Sequence, residues 1–315
     1  MSIDIAGDAV TALPLVSFVL VSYNQEEFIA EAVAGAFAQT YTPLQIILSD
    51  DCSSDATFAI MEEAVRQYRG PHSVVINRNE CNLGIGRHIN KVVELAEGEW
   101  LVGAAGDDIS LPERTAKIMT AARQSGGQAK SIWSRAQHMR ADGTLLDIFE
   151  QSTGAPYSPS EIVENQRVVM GCSHAWHRDV FQVFGPLYHK VMFEDNAISF
   201  RSFLLGKVVY VDDTLVHYRQ HASNLTNYSR EMDQAILERR MATRRHYAVV
   251  GIYQRLLDVM TFRHLPGIDV QRIDTVNRLL LRQLVKQIIK MNLGRRMPGI
   301  DRFTSRVRKT IRKFK

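Results

Sequence analysis

Apolar residues over the first hundred positions fall into short continuous runs separated by helix-spaced stretches. Residues 15–21 read LVSFVLV. A run that is apolar and β-branched at successive positions predicts a strand buried on both faces, as in a parallel sheet. A helix follows at 26–39, and 44–49 (LQIILS) is the next strand. Phe58, Met61, Val65 and Tyr68 then recur at helical spacing, with Gly70 closing that helix. Residues 73–77 (SVVIN) predict a third strand. Ile85, Ile89, Val92 and Ala96 mark a third helix stopped by Gly98, and 99–104 (EWLVGA) give a fourth strand. Alternating strand and helix over roughly 100 residues predicts a parallel sheet covered on both faces.

The middle of the chain is less regular. Residues 130–150 predict a hairpin around Asp142 and Gly143. GCSHAWH at 171–177 reads as a strand, followed by a helix at 178–184 and another starting near Glu194. KVVYVD (207–212) and TLVHYR (214–219) read as two short strands. From Tyr228 the pattern turns helical. The last helix, over 274–292, has an apolar face of Val276, Leu280, Leu284, Ile288 and Met291. Beside that face Arg278, Arg282, Lys286 and Lys290 form a basic stripe, which suits either a membrane-surface helix or a packed helix with a solvated edge.

Composition narrows the class. The chain has 315 residues and is 45% apolar, enough for one large domain or a domain with an appendage. Cys52, Cys81 and Cys172 have no metal-ligand spacing and imply a reducing compartment. The N-terminal segment has acids and no basic region, unlike a secretory leader, and no apolar run approaches the length of a membrane span. Net charge is +4, unevenly spread: from Lys290 to Lys315 there are ten Lys and Arg and one acid, leaving the rest slightly acidic.

In an open α/β sheet, ligands bind beyond the carboxyl ends of the strands. Those ends carry Ser22 to Gln25, then Asp50 to Asp55, then Asn77 to Asn82 with Gly84 and Arg87, and finally Gly106, Asp107 and Asp108. Four successive polar clusters describe one pocket. Adjacent carboxylates after a buried strand need neutralising. Mg²⁺ or Mn²⁺ with oxygen ligands would do so and would also hold a diphosphate. Capping of the helix that begins near Leu111 and Pro112 accounts for one Asp, not two. The pair Asp50 and Asp51 either holds loop amides or accepts from a base or ribose. Gly84-x-Gly86 follows the third strand rather than the first, so it is not a dinucleotide fingerprint. It reads as a tight helix entry that either brings Arg87 to an anion or leaves it on the surface. Glu194 and Asp195 at a helix start either complement the helix dipole or supply a general base. His217 and His221 at a strand end are either structural or ligands for metal or phosphate.

Three segments, VSFVLVSYNQEEFI, LQIILSDDCSSDAT and NLGIGRHINKVVELAEGEWLVGAAGDDISLPERTAKI, resemble glycosyltransferase family 2 in order and spacing. The resemblance covers about residues 14–222. It implies an α/β GT-A fold, a Rossmann-like mixed sheet flanked by helices, over residues 1–227, with an all-helical basic extension over 228–315. It implies inverting transfer of a sugar from a nucleoside-diphosphate donor of UDP or dTDP type to an acceptor hydroxyl, in polysaccharide or glycolipid biosynthesis. On that resemblance Val21, Ser22, Tyr23 and Asn24 line the nucleotide site and Asp51 accepts from the pyrimidine. Arg87 lies near base or diphosphate, Asp107 belongs to the nucleotide-sugar site, and Asp108 with His221 holds a divalent cation. Asp195 is the catalytic base. The implied partners are the donor and a saccharide or lipid-linked saccharide, with an anionic membrane surface met through the tail and no nucleic acid. The implied location is the cytoplasm, or the inner face of the plasma membrane as a peripheral protein. Two departures stand out. The acid motif is Gly-Asp-Asp where many members have Asp-x-Asp, and His174 and Trp176 add bulk where small residues near the acceptor are common. A nucleotidyltransferase shares the sheet, but its triphosphate loop is glycine-rich and basic, whereas Ser22 to Glu27 is acidic. A non-catalytic sugar-nucleotide module is opposed by Asp107, Asp108 and Asp195 occurring together.

Overall fold

The computed structural model of the chain describes residues 13–148, 163, 169–221, 224 and 234–292. Its centre is a nine-stranded mixed sheet. Four parallel strands come from the alternating region: β1 (Val16–Ser22), β2 (Leu44–Asp50), β3 (Ser73–Arg78) and β4 (Trp100–Ala105). They are joined by α1 (Ile29–Phe37), α2 (Thr57–Gln67) and α3 (Ile85–Leu95). The order β3-β2-β1-β4 then continues through β8 (Ala175–His177), β6 (Ala129–Arg140), β9 (Lys207–Gln220) and β5 (Ile109–Ser110), with β7 (Leu145–Ile148) paired to β6.

Strand direction decides which residues meet. β8 is antiparallel to both β4 and β6, and β9 is parallel to β6. The carboxyl end of β9 therefore lies along the same sheet edge as the carboxyl ends of β1 to β4. The start of β8 lies there too, preceded by a 3₁₀ turn at Gly171–Ser173.

The runs in β1, β2 and β4 are buried on both faces because helices cover both. Phe18, Leu20, Ile46, Leu48 and Val102 pack with α1 and with α4 (Arg114–Gln124) on one side. Val19, Ile47 and Leu101 pack on the other side with α3, α5 (Asp179–Phe184) and α6 (Glu194–Leu205). Each such buried Leu, Ile or Phe contributes about 1.5–3 kcal/mol. The central sheet is thus anchored well enough to hold irregular loops at its edge.

The C-terminal helices, α7 (Gln234–Phe262) and α8 (Val270–Asn292), join the second of these cores through Val249, Val250, Leu256, Val276, Leu280 and Leu284. Phe262 stacks on Phe184 of α5 with ring centroids 6.0 Å apart. A buried ion pair also fastens α7: Arg201 of α6 meets Asp258 at 3.0 Å, and Gln254 donates to the same Asp258 oxygen. Removing one member of a buried pair costs about 3–5 kcal/mol, because the other charge is left without compensation.

The four alternating strands, the Asp142-Gly143 hairpin and the helices near 178 and 194 occur where the sequence predicts them, with shifts of one to three residues at their ends. Two readings differ. Residues 207–219 form one strand, not two; its register against β6 shifts between Val211 and Thr214, so Asp212 and Asp213 bulge and break the apolar alternation. In GCSHAWH the first three residues are a 3₁₀ turn, and only the last three are strand. On α8, Val276, Leu280 and Leu284 are buried in protein while Arg278, Arg282 and Lys286 are exposed, which is the packed helix with a solvated edge. The basic run beyond Asn292 lies outside the described residues.

Candidate active site

The loops after β1 and β2 interlock. Asn24 accepts from the Ser54 amide at 2.9 Å, and its own N–H donates to Ser53 Oγ at 2.8 Å. Gln25 N–H donates to Thr57 Oγ1, and Glu26 accepts from the Ala56 amide. Asn24 and Cys52 take left-handed backbone angles, φ 51° and 64°, which such paired loops stabilise. Of the predicted nucleotide-lining residues, Val21 and Ser22 sit inside this edge, Asn24 fastens the loops, and the Tyr23 ring is exposed. Asp50 is buried and accepts from both the amide and hydroxyl of Ser53, with Arg78 at 3.7 Å.

Asp51 holds loop amides, one of the two readings open in the sequence. It is 3% exposed and accepts from Asn79 Nδ2 (2.8 Å), Leu83 N–H (2.9 Å) and Gly84 N–H (2.9 Å). It therefore shapes the entry to α3. Gly84 makes this possible with φ 73°, open to glycine and strained for other residues. Arg87 is exposed and folds back, Nε donating to the Leu83 carbonyl at 2.8 Å, beside the Asp51 loop. His88 is buried against Ser49 Oγ at 2.7 Å, and burial lowers its pKa, keeping it neutral.

Asp107 and Asp108 point to different surroundings. Asp107 Oδ2 lies 3.0 Å from His221 Nε2, near the surface of the cleft. Asp108 is 4% exposed and accepts the Arg219 backbone N–H at 2.9 Å. Burial, then the neighbouring Asp107, pushes the Asp108 carboxyl well above the usual range. Arg219 fastens this corner: its guanidinium donates to the Asp107 and Ala141 carbonyls and to Glu31, and it lies over the Phe28 ring at 4.8 Å. Phe28 in turn packs against the His221 ring at 4.7 Å. Gly106 is required here, since a Cβ would meet Gln25 Oε1 at 2.4 Å and Ser22 Cβ at 2.8 Å. Among the described residues no three His, Cys, Asp or Glu side chains cluster as a ready-made metal cage. A carboxylate–imidazole pair backed by an under-neutralised buried carboxyl does fit a cation that takes its other ligands from phosphate and water.

Glu194 and Asp195 open α6. The N-terminus of a helix favours negative charge. Burial nevertheless raises both carboxyls, Glu194 to about 8 with Asp195 adding to it, and Asp195 to about 6 against the amides of Asn196, Asp195 and Gly171. The two titrate as a pair. The 3₁₀ turn lies directly against them: a Cβ on Gly171 would be 3.2 Å from Glu194 Oε1 and 3.7 Å from Asp195 Cβ. The next residue, Cys172, senses the charges of Asp108, Asp107 and Asp195, and burial holds its thiol protonated. One turn thus connects the acid pair of β4 with the acid pair of α6.

The sequence reading does not identify several supporting residues. Arg114 is fully buried, donates to Ser110 Oγ and the Gly103 carbonyl, and lies within electrostatic reach of Asp108 and Cys172. Asn90 exchanges two hydrogen bonds with Leu187, tying α3 to the loop before α6. His174, which the sequence reading does name as bulk near the acceptor, bonds Ser131, and burial lowers it to about 3, so it is a neutral core residue.

A mixed sheet with a parallel half, loops at its carboxyl edge and an acid pair after the fourth strand defines a GT-A type glycosyltransferase fold. Staphylococcus aureus TarS, solved with UDP-GlcNAc, aligns over 84% of this chain and 71% of its own at TM-score 0.61 and 13% identity. The mannosyltransferase PcManGT of Pyrobaculum calidifontis, solved with GDP-Man and Mn²⁺, aligns over 95% and 81% at TM-score 0.56 and 13% identity. The model described as glycosyl transferase family 2 matches residues 17–163 of this chain. An uncharacterized glycosyltransferase of Haemophilus influenzae is 24% identical over 288 residues, 85% of this chain and 83% of that protein. The succinoglycan biosynthesis protein ExoO of Rhizobium meliloti is 31% identical over 144 residues, 46% of this chain and 39% of its own length. The chain is a glycosyltransferase enzyme, related to proteins of bacterial polysaccharide synthesis. No helix among the described residues is long and apolar enough to cross a membrane.

Proposed function

We propose that the chain transfers a sugar with inversion from a pyrimidine nucleoside-diphosphate donor to the hydroxyl of a saccharide or lipid-linked saccharide at the inner face of the plasma membrane. The observation that carries this reading is the Gly171–Ser173 turn, which touches Glu194 and Asp195 and seats Cys172 within the field of Asp107 and Asp108. Base and leaving-group site then share one cleft.

Donor choice follows from what Asp51 has left to offer. A carboxylate has about four acceptor positions. Three are occupied by Asn79, Leu83 and Gly84. The remaining one suits the single N–H of a uracil or thymine imide, whereas guanine presents two adjacent N–H groups. The exposed Tyr23 ring offers a stacking face for the base, beside Val21 and Ser22. Arg87 needs a rotamer change to release Leu83 and reach a phosphate.

Asp107 and His221 are the better pair for the divalent cation, with Asp108 behind them as a buried second charge; this moves the direct carboxylate ligand from Asp108 to its neighbour. A Mg²⁺ or Mn²⁺ ion held by Asp107 and His221 would supply the positive charge that offsets the charge developing on the leaving diphosphate. Asp195, ionised above about 6, takes the proton of the acceptor hydroxyl. The acceptor oxygen bonds the anomeric carbon, and the carbon–oxygen bond to the diphosphate breaks with its electron pair leaving on the nucleotide. Glu194 stays protonated near neutrality and can donate a hydrogen bond to the acceptor.

Thermal shifts with UDP, dTDP and GDP, each with and without Mn²⁺, test the donor site. A ligand at a hundred times its Kd adds about 2.7 kcal/mol of stability. UDP or dTDP should stabilise the chain, and only with the metal. Preference for GDP, or stabilisation indifferent to Mn²⁺, overturns the assignment.

A further inference from the structure

Charge is divided along the chain more sharply than the net value suggests. Residues 234–315 contain 20 Lys and Arg and five Asp and Glu, while residues 1–233 contain 18 and 29. A basic C-terminal part is therefore attached to an acidic catalytic part. In α8 three of the basic residues, Arg278, Arg282 and Lys286, lie exposed on one face. Arg278 donates to Thr275 Oγ1 at 3.0 Å, and among the described residues none of the three is salt-bridged to an acid. Val285 lies between Arg282 and Lys286 in sequence, on the same face, and is 49% exposed.

We propose that this exposed face of α8 is an electrostatic docking surface for an anionic lipid bilayer, which holds the enzyme at the membrane. The inference rests on the membrane-side acceptor proposed above and names the surface that reaches it. Contact is Coulombic and superficial, because the apolar stripe of α8, Ile273, Val276, Leu280 and Leu284, is already buried in the protein core and has nothing left to insert. Charge complementarity selects an anionic partner. The exposed valine among the cations favours a headgroup layer, whose boundary accepts a small apolar side chain, over a nucleic-acid phosphate ridge, which does not.

The test is co-sedimentation of the full chain with vesicles of phosphatidylcholine, with and without one-third phosphatidylglycerol. The chain should partition onto the anionic vesicles alone and leave them at high salt. The substitutions Arg278→Glu, Arg282→Glu and Lys286→Glu together should lower partitioning about a hundredfold or more, since each basic contact contributes roughly fivefold. The milder set Arg278→Gln, Arg282→Gln and Lys286→Gln covers loss of folding in the first. Both sets should retain Mn²⁺-dependent hydrolysis of the donor in solution, so a failed surface is distinguishable from a failed active site. Equal binding to neutral vesicles, binding unchanged by both sets, or tighter binding to duplex DNA than to anionic vesicles overturns the proposal.

Discussion

Replacing Glu194 by Gln isolates the energetic strain stored in the buried acid pair. Glu194 is displaced from 4.5 to about 8, chiefly by burial and secondly by Asp195. The unfolded chain ionises this group first, so between those values it binds fewer protons than the folded chain. Stability then falls as pH rises through the window, and the penalty is complete only above about 8. At 1.36 kcal/mol per tenfold, the displacement corresponds to about 5 kcal/mol above the window and roughly 3 kcal/mol at pH 7. Gln removes that penalty but leaves a buried amide to satisfy, at a pH-independent cost of about 1–3 kcal/mol. The informative quantity is therefore the difference in unfolding free energy between Glu194→Gln and the native chain, followed by urea titration from pH 5 to pH 8. That difference should move in favour of the variant by roughly 3 kcal/mol across the range. A difference that stays flat would show that Glu194 is solvated or already neutralised, and the argument for a desolvated catalytic pair would fall with it.

The remaining predictions concern turnover. Asp195→Asn should lower kcat by about 10²–10⁴ while leaving the donor KM nearly unchanged, because a general base acts on the acceptor proton; residual kcat within a few-fold of native would remove Asp195 from that role. In the native enzyme the acid limb of kcat should lie near 6, where Asp195 titrates, so that the rate at pH 5 is about a tenth of its plateau; a limb near 4 would mean an exposed carboxylate. Chelation should abolish transfer, and His221→Ala should raise the Mn²⁺ concentration for half-activation by at least about tenfold. A native-like Mn²⁺ response of that variant would leave His221 as a packing partner of Phe28.

How much the sequence disclosed depended on how local each signal was. The strands 16–22, 44–50 and 100–105 are buried on both faces, and uninterrupted apolar runs report that directly. Asp51, Asp107 and Asp108 follow those runs at once, so their place at the sheet edge could be read from one dimension. The internal division of labour could not. That Asp51 is already held by Leu83 and Gly84 depends on a left-handed glycine, and that Asp107 rather than Asp108 meets His221 depends on side-chain direction after a strand end. The β9 bulge at Asp212 and Asp213 disguised one long strand as two because it interrupts the alternation that identifies a strand. On α8 periodicity found the apolar and basic faces, but only the packing decides that the apolar one is occupied by protein.

The cleft itself is a product of topology. The family match ends at residue 163, yet Asp195, Arg219 and His221 come later in the chain. Arg219 and His221 reach Asp107 and Asp108 because the second half of the sheet reverses direction through β8 and returns with β9 parallel to β6, so that residues 219–221 emerge where β4 ends. Arg219 then ties that return to α1, to the acid-pair loop and to the β6–β7 turn by four hydrogen bonds from its side chain and backbone. On the opposite flank, Asn90 and Gln254 hold the loop before α6 from α3 and α7, and Arg201 locks α6 to Asp258. The helices after residue 234 consequently help position α6, which carries Asp195. On the role proposed for Asp195, proton transfer thus depends on helices that lie outside the alternating segment.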